Sequence, residues 1–534
     1  MRAQLVLILA LLFALGARAQ ATPPSGQQRV RLSQLTDRQR FALPAQVKLK
    51  AIQKVGLKAM AFRRSFLRRH NTSYSNAIPL ERLPHVARDQ KQSGRCWIFG
   101  SELVMRSKSL QRSGRAAEHL SVSFVNHHAL RMQATAMLGH IASELSHGRT
   151  PDPDYASDSL GEGGWYAYAN KIIKQHGIVP ESAMPSSFDA NKSGVLLRRL
   201  TTLVANAQGA MIKVQGRSEQ AQQKRSAIAA RYEQKIIQLL DTTLGKPPAQ
   251  VAVGRSQLTP QQYLRQHLGL TDNDLSYVRL NHDPRISDYH TSRWRSKGGA
   301  LVHQASYVPL QVLEDVVRRT IDGGEAVAFS TNVSKDNRHR VEGDNLPKEG
   351  QGILSVSAFN YKPFIEAPRL SKKTRLRGGV SPTNHLMAIT AYDRAARGNG
   401  VRKWKIDNSW GVDAGDKGHL HMYGDYFREY VTSVVVPRWA VPETVMAKIE
   451  GGRLSDHTTP NAALARDQRW GRKQKRQLVL DLLSGELTEG EASKAYGVST
   501  RKMRQWKRDA LSAAAKALAE TGVDPQREQQ SGSR

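Results

Sequence analysis

The chain has 534 residues, of which 39% are hydrophobic and 24% charged, so it holds enough apolar mass to bury a large core and is not wholly disordered. Its 80 Lys and Arg against 46 Asp and Glu give a net charge of +34, which predicts attraction to polyanions or acidic surfaces and carries no information about fold. A single cysteine, Cys96, excludes an intrachain disulfide framework and a cysteine-based zinc site.

Residues 1–19 have the pattern of a secretory signal. Arg2 supplies the positive start, Leu5–Leu15 is an unbroken apolar run, and Ala17-Arg18-Ala19 fits a small-x-small cleavage site that would start the mature chain near Gln20. The run is shorter than the roughly 20 residues of a membrane-spanning helix, and no later run qualifies. A secreted or periplasmic address is therefore expected, with the cytoplasm as the alternative. Export would leave a solitary thiol in an oxidising compartment, where most cysteines are paired.

Residues 20–45, opening with Thr22, Pro23, Pro24, Ser25 and Gly26, read as an N-terminal arm. A main domain is expected over 46–450. It begins with a basic helical pattern over Val47–His70, and residues 196–245 hold two helical stretches stopped by Gly245-Lys246-Pro247-Pro248. Pro309–Asp322 is predicted helical, with proline at its first position and Gly323-Gly324 past its end. Strands are predicted at Ala326–Asn332, Ile353–Ala358, His385–Tyr392, Arg402–Asn408, His419–Met422 and Val431–Val436, which makes the class α+β. After Glu450 the composition shifts: 451–471 reads as a linker, 472–515 as a separate all-helical module and 516–534 as a flexible tail. Within that module a basic helix, a Gly497-Val498-Ser499 turn and a second helix from Thr500 with Arg501, Lys502, Arg504, Lys507 and Arg508 resemble a helix-turn-helix of the transposase type. Short helical hairpins also serve for packing. Residues 455–534 carry 15 Lys and Arg against 10 Asp and Glu, so most of the positive charge lies elsewhere.

Chemistry concentrates in two segments. In RDQKQSGRCWIFGSELVMRS (88–107) the Ser93-Gly94-Arg95 turn precedes a helix pattern, so Cys96 falls at the helix N-terminus. Unsatisfied N–H groups and the positive end of the macrodipole there favour a thiolate, so a lowered thiol pKa is expected. Gln90, six residues upstream, is placed to aim an amide at a developing oxyanion. In the second segment, NHLMAITAY (384–392) and VRKWKIDNSWG (401–411) read as a hairpin across an eight-residue loop. Pairing 392 with 401 puts His385 directly opposite Asn408, close enough for the Asn oxygen to orient the imidazole, with Trp410 as a shield. Cys96, His385 and Asn408 then supply a nucleophile, a base and an orienter.

These residues, QKQSGRCWIF, the His-bearing strand and WKIDNSWG, resemble the bleomycin hydrolase and aminopeptidase C branch of the papain-like cysteine peptidases. The likeness extends in order through GEGGWYAYANKIIKQHGIVP (161–180), 244–248, 281–284, 322–329 and GDKGHLHMYGDYFREYVTSVVV (415–436), covering roughly 45–450. It implies a helical domain and a β-containing domain with a cleft between them. It also implies Gln90 in the oxyanion hole, Cys96 as nucleophile, His385 as base then acid, Asn408 as orienter, and no cofactor or metal. By the same likeness the partners are a peptide substrate and other copies in a hexameric barrel with a basic channel. In that family the free C-terminus lies in the cleft and anchors the substrate amine, whereas about 80 residues follow Glu450 here. The alternative is a catalytically idle scaffold that binds polyanions or nucleic acid through its basic surface and C-terminal module.

Overall fold

A computed structural model describes residues 7–8, 29–30, 32–83, 87–149, 151, 160–295, 301–340, 345–365, 369–378, 383–396, 400–458, 479, 482 and 503–512. Of the sequence that reads as a signal, only Leu7–Ile8 falls within these residues, paired with Arg29–Val30. The helix-turn-helix-like stretch lies outside them apart from Val479, Leu482 and a helical 503–512. No described helix is long and apolar enough to cross a membrane.

The second half of the expected arm is packed. Thr36 caps a short helix, Asp37–Phe41, through a capping box with Gln39, and Leu32, Leu35 and Leu43 join Ala51 and Met60 in a small apolar cluster. The basic run from Val47 is three short helices, Ala45–Val55, Leu57–Ala61 and Arg64–Leu67. Gly56, at φ +89°, ends the first, and Phe62, with extended backbone, ends the second.

The helical layer holds α1 (Cys96–Ser113), α2 (Val122–Ser146), α3 (Tyr166–His176), α4 (Gly194–Ile212) and α5 (Glu219–Leu244). α4 and α5 are the two expected stretches. They close with α2 around Leu130, Met137, Leu196, Leu200, Ile236 and Leu240. α6 (Leu310–Asp322) starts one residue after the expected proline, because Pro309 takes the N-cap position.

The strands of the main sheet include β1 (Val278–Asn281), β2 (His290–Arg295), β3 (Leu301–Tyr307), β4 (Val327–Thr331), β5 (Ile353–Leu354), β6 (His385–Arg394), β7 (Val401–Asp407), β8 (His419–Tyr423), β9 (Val431–Val436) and β10 (Arg453–Thr458). They form one mixed sheet in the order β5-β8-β7-β6-β4-β9-β1-β3-β2-β10, with Asn76–Ala77 paired to β6. Three expectations shift. The strand expected over 353–358 ends at Leu354, where the chain turns as Ser357 N–H and the Ser355 hydroxyl donate to Asp425. β1, β2 and β3 were not legible as strands. Arg453–Thr458, inside the expected linker, pairs in parallel with β2.

The main core lies between α1 and the sheet, where Trp97, Leu103 and Met105 meet Leu386, Ile389, Trp404 and Phe427. Gly100 permits the approach: a Cβ there would sit 2.5 Å from Leu386 Cδ2. An α+β layering of helices on one mixed sheet is thus the architecture, and β6 is its central contact with α1.

Burial also excludes protons. It holds His128 at about 3 and both His385 and His421 at about 4, below the ordinary 6.5. Each group therefore binds fewer protons folded than unfolded between those values and 6.5. Stability is complete above pH 6.5 and falls as pH drops toward 4, by up to about 1.4 kcal/mol per pH unit for each histidine. A urea midpoint lower at pH 5 than at pH 7 is the expected measurement, and an unchanged midpoint contradicts it.

Candidate active site

The segment before Cys96 is a turn held from three sides. Lys91 adopts φ +53°, supported by its N–H donating to Asp89 Oδ1 at 2.7 Å. Gln90 N–H donates to Ser409 O at 2.8 Å, and Gln92 N–H to Asn191 O at 2.9 Å. Gly94 N–H donates to Glu162 Oε2 at 2.8 Å. Glu162 also accepts from the Ser193 hydroxyl at 2.6 Å and from Asn126 Nδ2 at 3.1 Å, while its carbonyl accepts the Trp97 indole N–H at 2.6 Å. One buried residue thereby ties the turn, α2 and the residue before α4 through its carboxylate and α1 through its carbonyl. Gly164 is required beside it, because a Cβ would lie 2.5 Å from the Trp97 ring.

Cys96 is the first residue of α1, as the sequence predicts. Arg95 occupies the N-cap without a side-chain cap, so no side chain takes the first N–H groups of the helix. Cys96 is half-buried at the surface of the chain, yet the protein packed round its sulfur pushes the thiol up, outweighing the amides of Leu386, Trp97 and Cys96 that favour its anion. The expected lowering by the helix start is thus reversed in the free site, because removal from water penalises the charged form more than three N–H dipoles support it. The Leu386 amide within reach of the sulfur belongs to the residue after His385, which puts the thiol beside the imidazole strand.

His385 Nε2 and Asn408 Oδ1 lie 2.8 Å apart, and both residues are buried. The amide oxygen accepts, so Nε2 carries the proton and Nδ1 is left as the basic nitrogen. The Trp410 ring stacks on the imidazole with centroids 4.7 Å apart and planes at 20°. The contact forms through a different register from the expected one. β6 and β7 pair Ala388 with Asp407, Ile389 with Ile406 and Tyr392 with Trp404, with irregularities after Ile389 and after Asp393. Continuing that register places Trp410, not Asn408, opposite His385, so the Asn reaches the imidazole diagonally. Burial brings His385 down to about 4, against the hydrogen bond it donates to Asn408, and the Arg338 charge adds to the lowering. Arg338 itself lies over Trp410, 5.0 Å from the ring centroid.

Gln90 is fixed at both ends of its amide. Oε1 accepts from the Ser409 hydroxyl at 2.7 Å, and Nε2 donates to Ser93 O at 2.7 Å, which leaves one amide hydrogen. The backbone bond to Ser409 joins this residue to the strand end that carries Asn408. All four expected residues are thus gathered where α1 meets β6 and β7. Arg95 is fully buried on Ser93, Ser186 and Asn191, with its guanidinium 5.6 Å from the Phe99 ring centroid; it supports the turn with no direct ion pair among the described residues. Ser409, Glu162 and Arg338 were missed. Ser409 was within the quoted DNSWG, but only the fold shows that it holds Gln90.

The Peptidase C1-like family model matches residues 31–457. Aminopeptidase W of Lactobacillus delbrueckii subsp. lactis is 26% identical over 426 residues, covering 75% of this chain and 91% of that one. The bleomycin hydrolase of Gallus gallus is 25% identical, covering 71% and 85%. Among solved structures, PepW from Lactobacillus rhamnosis HN001 superposes with a TM-score of 0.67 over 78% of this chain and 94% of that one, at 20% identity, so the fold is papain-like. The chain is a cysteine peptidase by descent, and it belongs to the Peptidase C1-like family in its bleomycin hydrolase and aminopeptidase C branch.

Proposed function

We propose that the chain is an aminopeptidase-like enzyme that hydrolyses peptide bonds through an acyl-thioester on Cys96. The observation that carries this reading is the buried His385–Asn408 hydrogen bond under Trp410, on the strand against which the Cys96 helix packs. Cys96 Sγ attacks the scissile carbonyl as its proton passes to His385 Nδ1. The oxyanion is received by the Cys96 N–H and the remaining Gln90 Nε2 hydrogen. His385 then protonates the leaving amine, and water enters with His385 again as base to release the acid and the thiol. At neutral pH the buried imidazole is unprotonated, so its Nδ1 lone pair is open to the thiol proton. The names of the relatives support action at the peptide N-terminus. Assembly into a hexamer is part of the proposal on family likeness alone.

Cys96→Ala is expected to lower kcat/KM on short peptides at least about a thousandfold with the circular dichroism spectrum unchanged. Free N-termini are expected to be cleaved in preference to acetylated ones by the full chain and by a version ending after Thr458. Equal turnover by the variant refutes the nucleophile, and equal cleavage of blocked peptides refutes the end recognition.

The acid limb follows from His385. The pair sheds its first proton near 4, so kcat/KM is expected to hold from neutral pH down to about 5 and then fall about tenfold per unit below 4. A limb centred at the ordinary 6.5 contradicts that. Export through residues 1–19 belongs to the same proposal, and N-terminal sequencing of the chain from an expressing bacterium is expected to begin near Gln20.

A further inference from the structure

The segment that follows β4 runs from the strand of His385 to the far edge of the sheet and carries a cation to the site. Val333 N–H donates at 2.9 Å to Oδ1 of Asn384, the residue before His385, and Ser334 N–H donates to the Tyr426 hydroxyl at 2.9 Å. Asn337 Nδ2 donates to the Tyr430 hydroxyl at 2.9 Å. The backbone then pairs with β5, where His339 N–H donates to Ile353 O at 2.8 Å and Ser355 N–H to Asn337 O at 3.1 Å. Arg338 stands between these last two bonds, opposite Leu354, so its main chain is fixed from both sides. Its half-buried side chain lies over Trp410, with the guanidinium carbon 5.0 Å from the ring centroid. The same ring stacks on the His385 imidazole at 4.7 Å. One indole thus has both the catalytic base and a permanent cation as ring partners.

We propose that Arg338 is a positioning residue of the reaction, which holds Trp410 on His385 by lying on the indole and disfavours the imidazolium by its charge. A guanidinium is charged at every working pH and is attracted to the π face of an indole. A protonated His385 would be a second cation against the same ring, in the field of the first. Among the described charges Arg338 is the one that bears on the imidazole, and it acts in the same direction as burial. The other ionisable groups facing this place are neutral or paired. Burial keeps the Cys96 thiol and the Tyr426 hydroxyl protonated, and Asp89, whose backbone bridges to Trp410, has Lys91 Nζ at 2.7 Å. On the Asn408 side Asp407 has His419 Nδ1 at 3.7 Å, and behind Tyr430 Arg375 is paired with Glu429 at 2.6 Å. The gain is on the second proton transfer: an imidazolium that is disfavoured gives its proton more readily to the leaving amine.

This proposal rests on His385 as the base, and pH profiles of kcat/KM on a short peptide separate the two. Arg338→Met keeps a long apolar stem on the indole and removes the charge. Its acid limb is expected to lie about half a unit or more above that of the wild type, so that at pH 4 it retains about twofold less of its own neutral plateau. Arg338→Lys keeps the charge and is expected to hold the limb where the wild type has it. A methionine variant with a lower plateau and an unmoved limb assigns Arg338 to packing alone and overturns the proposal. Where loss of the cation unfolds the chain, the lysine variant decides, and a limb that moves although the charge is kept overturns it as well. A His385→Ala enzyme of full activity overturns the reading of His385 as base instead.

Discussion

The whole site depends on how closely the Cys96 helix approaches the His385 strand. Gly100 is one turn into α1, and any side chain there would collide with Leu386. With hydrogen in that place the helix start drops to the level of His385, and the sulfur comes within reach of the Leu386 amide. A helix dipole, a thiol and an imidazole are thus brought together by the packing of Gly100 against the Leu386 side chain and the Met387 backbone. The remaining elements fix the approach. Glu162 ties the preceding turn to the helical layer, and Ser409 ties Gln90 to the end of β7.

Dryness is the second constraint and follows from the first. Trp410 covers the imidazole, and burial drives the thiol toward its neutral form and the imidazole down to about 4. An amide is the fitting orienter in such a place. Asn408 aligns the ring without adding a charge, whereas a carboxylate at 2.8 Å would also raise the proton affinity of the imidazole. The cost is that an amide has two ends that differ only in polarity, and one of them must be satisfied elsewhere.

The sequence made the chemical residues visible and left their supports hidden. Cys96, as the only cysteine after a Gly-containing turn and before an apolar helix, was legible, and so was the His-strand followed by an Asn-strand. The exact register was not. Irregularities after Ile389 and Asp393 displace the ladder, and nothing in ITAYDR marks them, since every residue there is compatible with a strand. Glu162 was read only as part of the 161–180 stretch that carries the family likeness. Its meaning lies in Gly94, Asn126 and Ser193, which are 68, 36 and 31 residues away and meet it only through the fold. The thiol was misjudged for a related reason: the helix start is local and readable, but the desolvation that outweighs it comes from the sheet.

The domain edge shows the same asymmetry in another form. RLSDHT has neither the alternation nor the β-branched content of a strand, so 453–458 reads as the start of a linker. It becomes a strand because β2 presents an unpaired edge, and parallel pairing from Arg453 opposite His290 to Thr458 opposite Arg295 supplies the backbone partners. The family match, reached without reference to that pairing, ends at residue 457. Two unrelated observations therefore extend the peptidase unit past Glu450. A chain cut at Glu450 would strip the strand from β2 and expose its edge, whereas a cut after Thr458 leaves the sheet whole; only the second isolates what the extension itself does to catalysis.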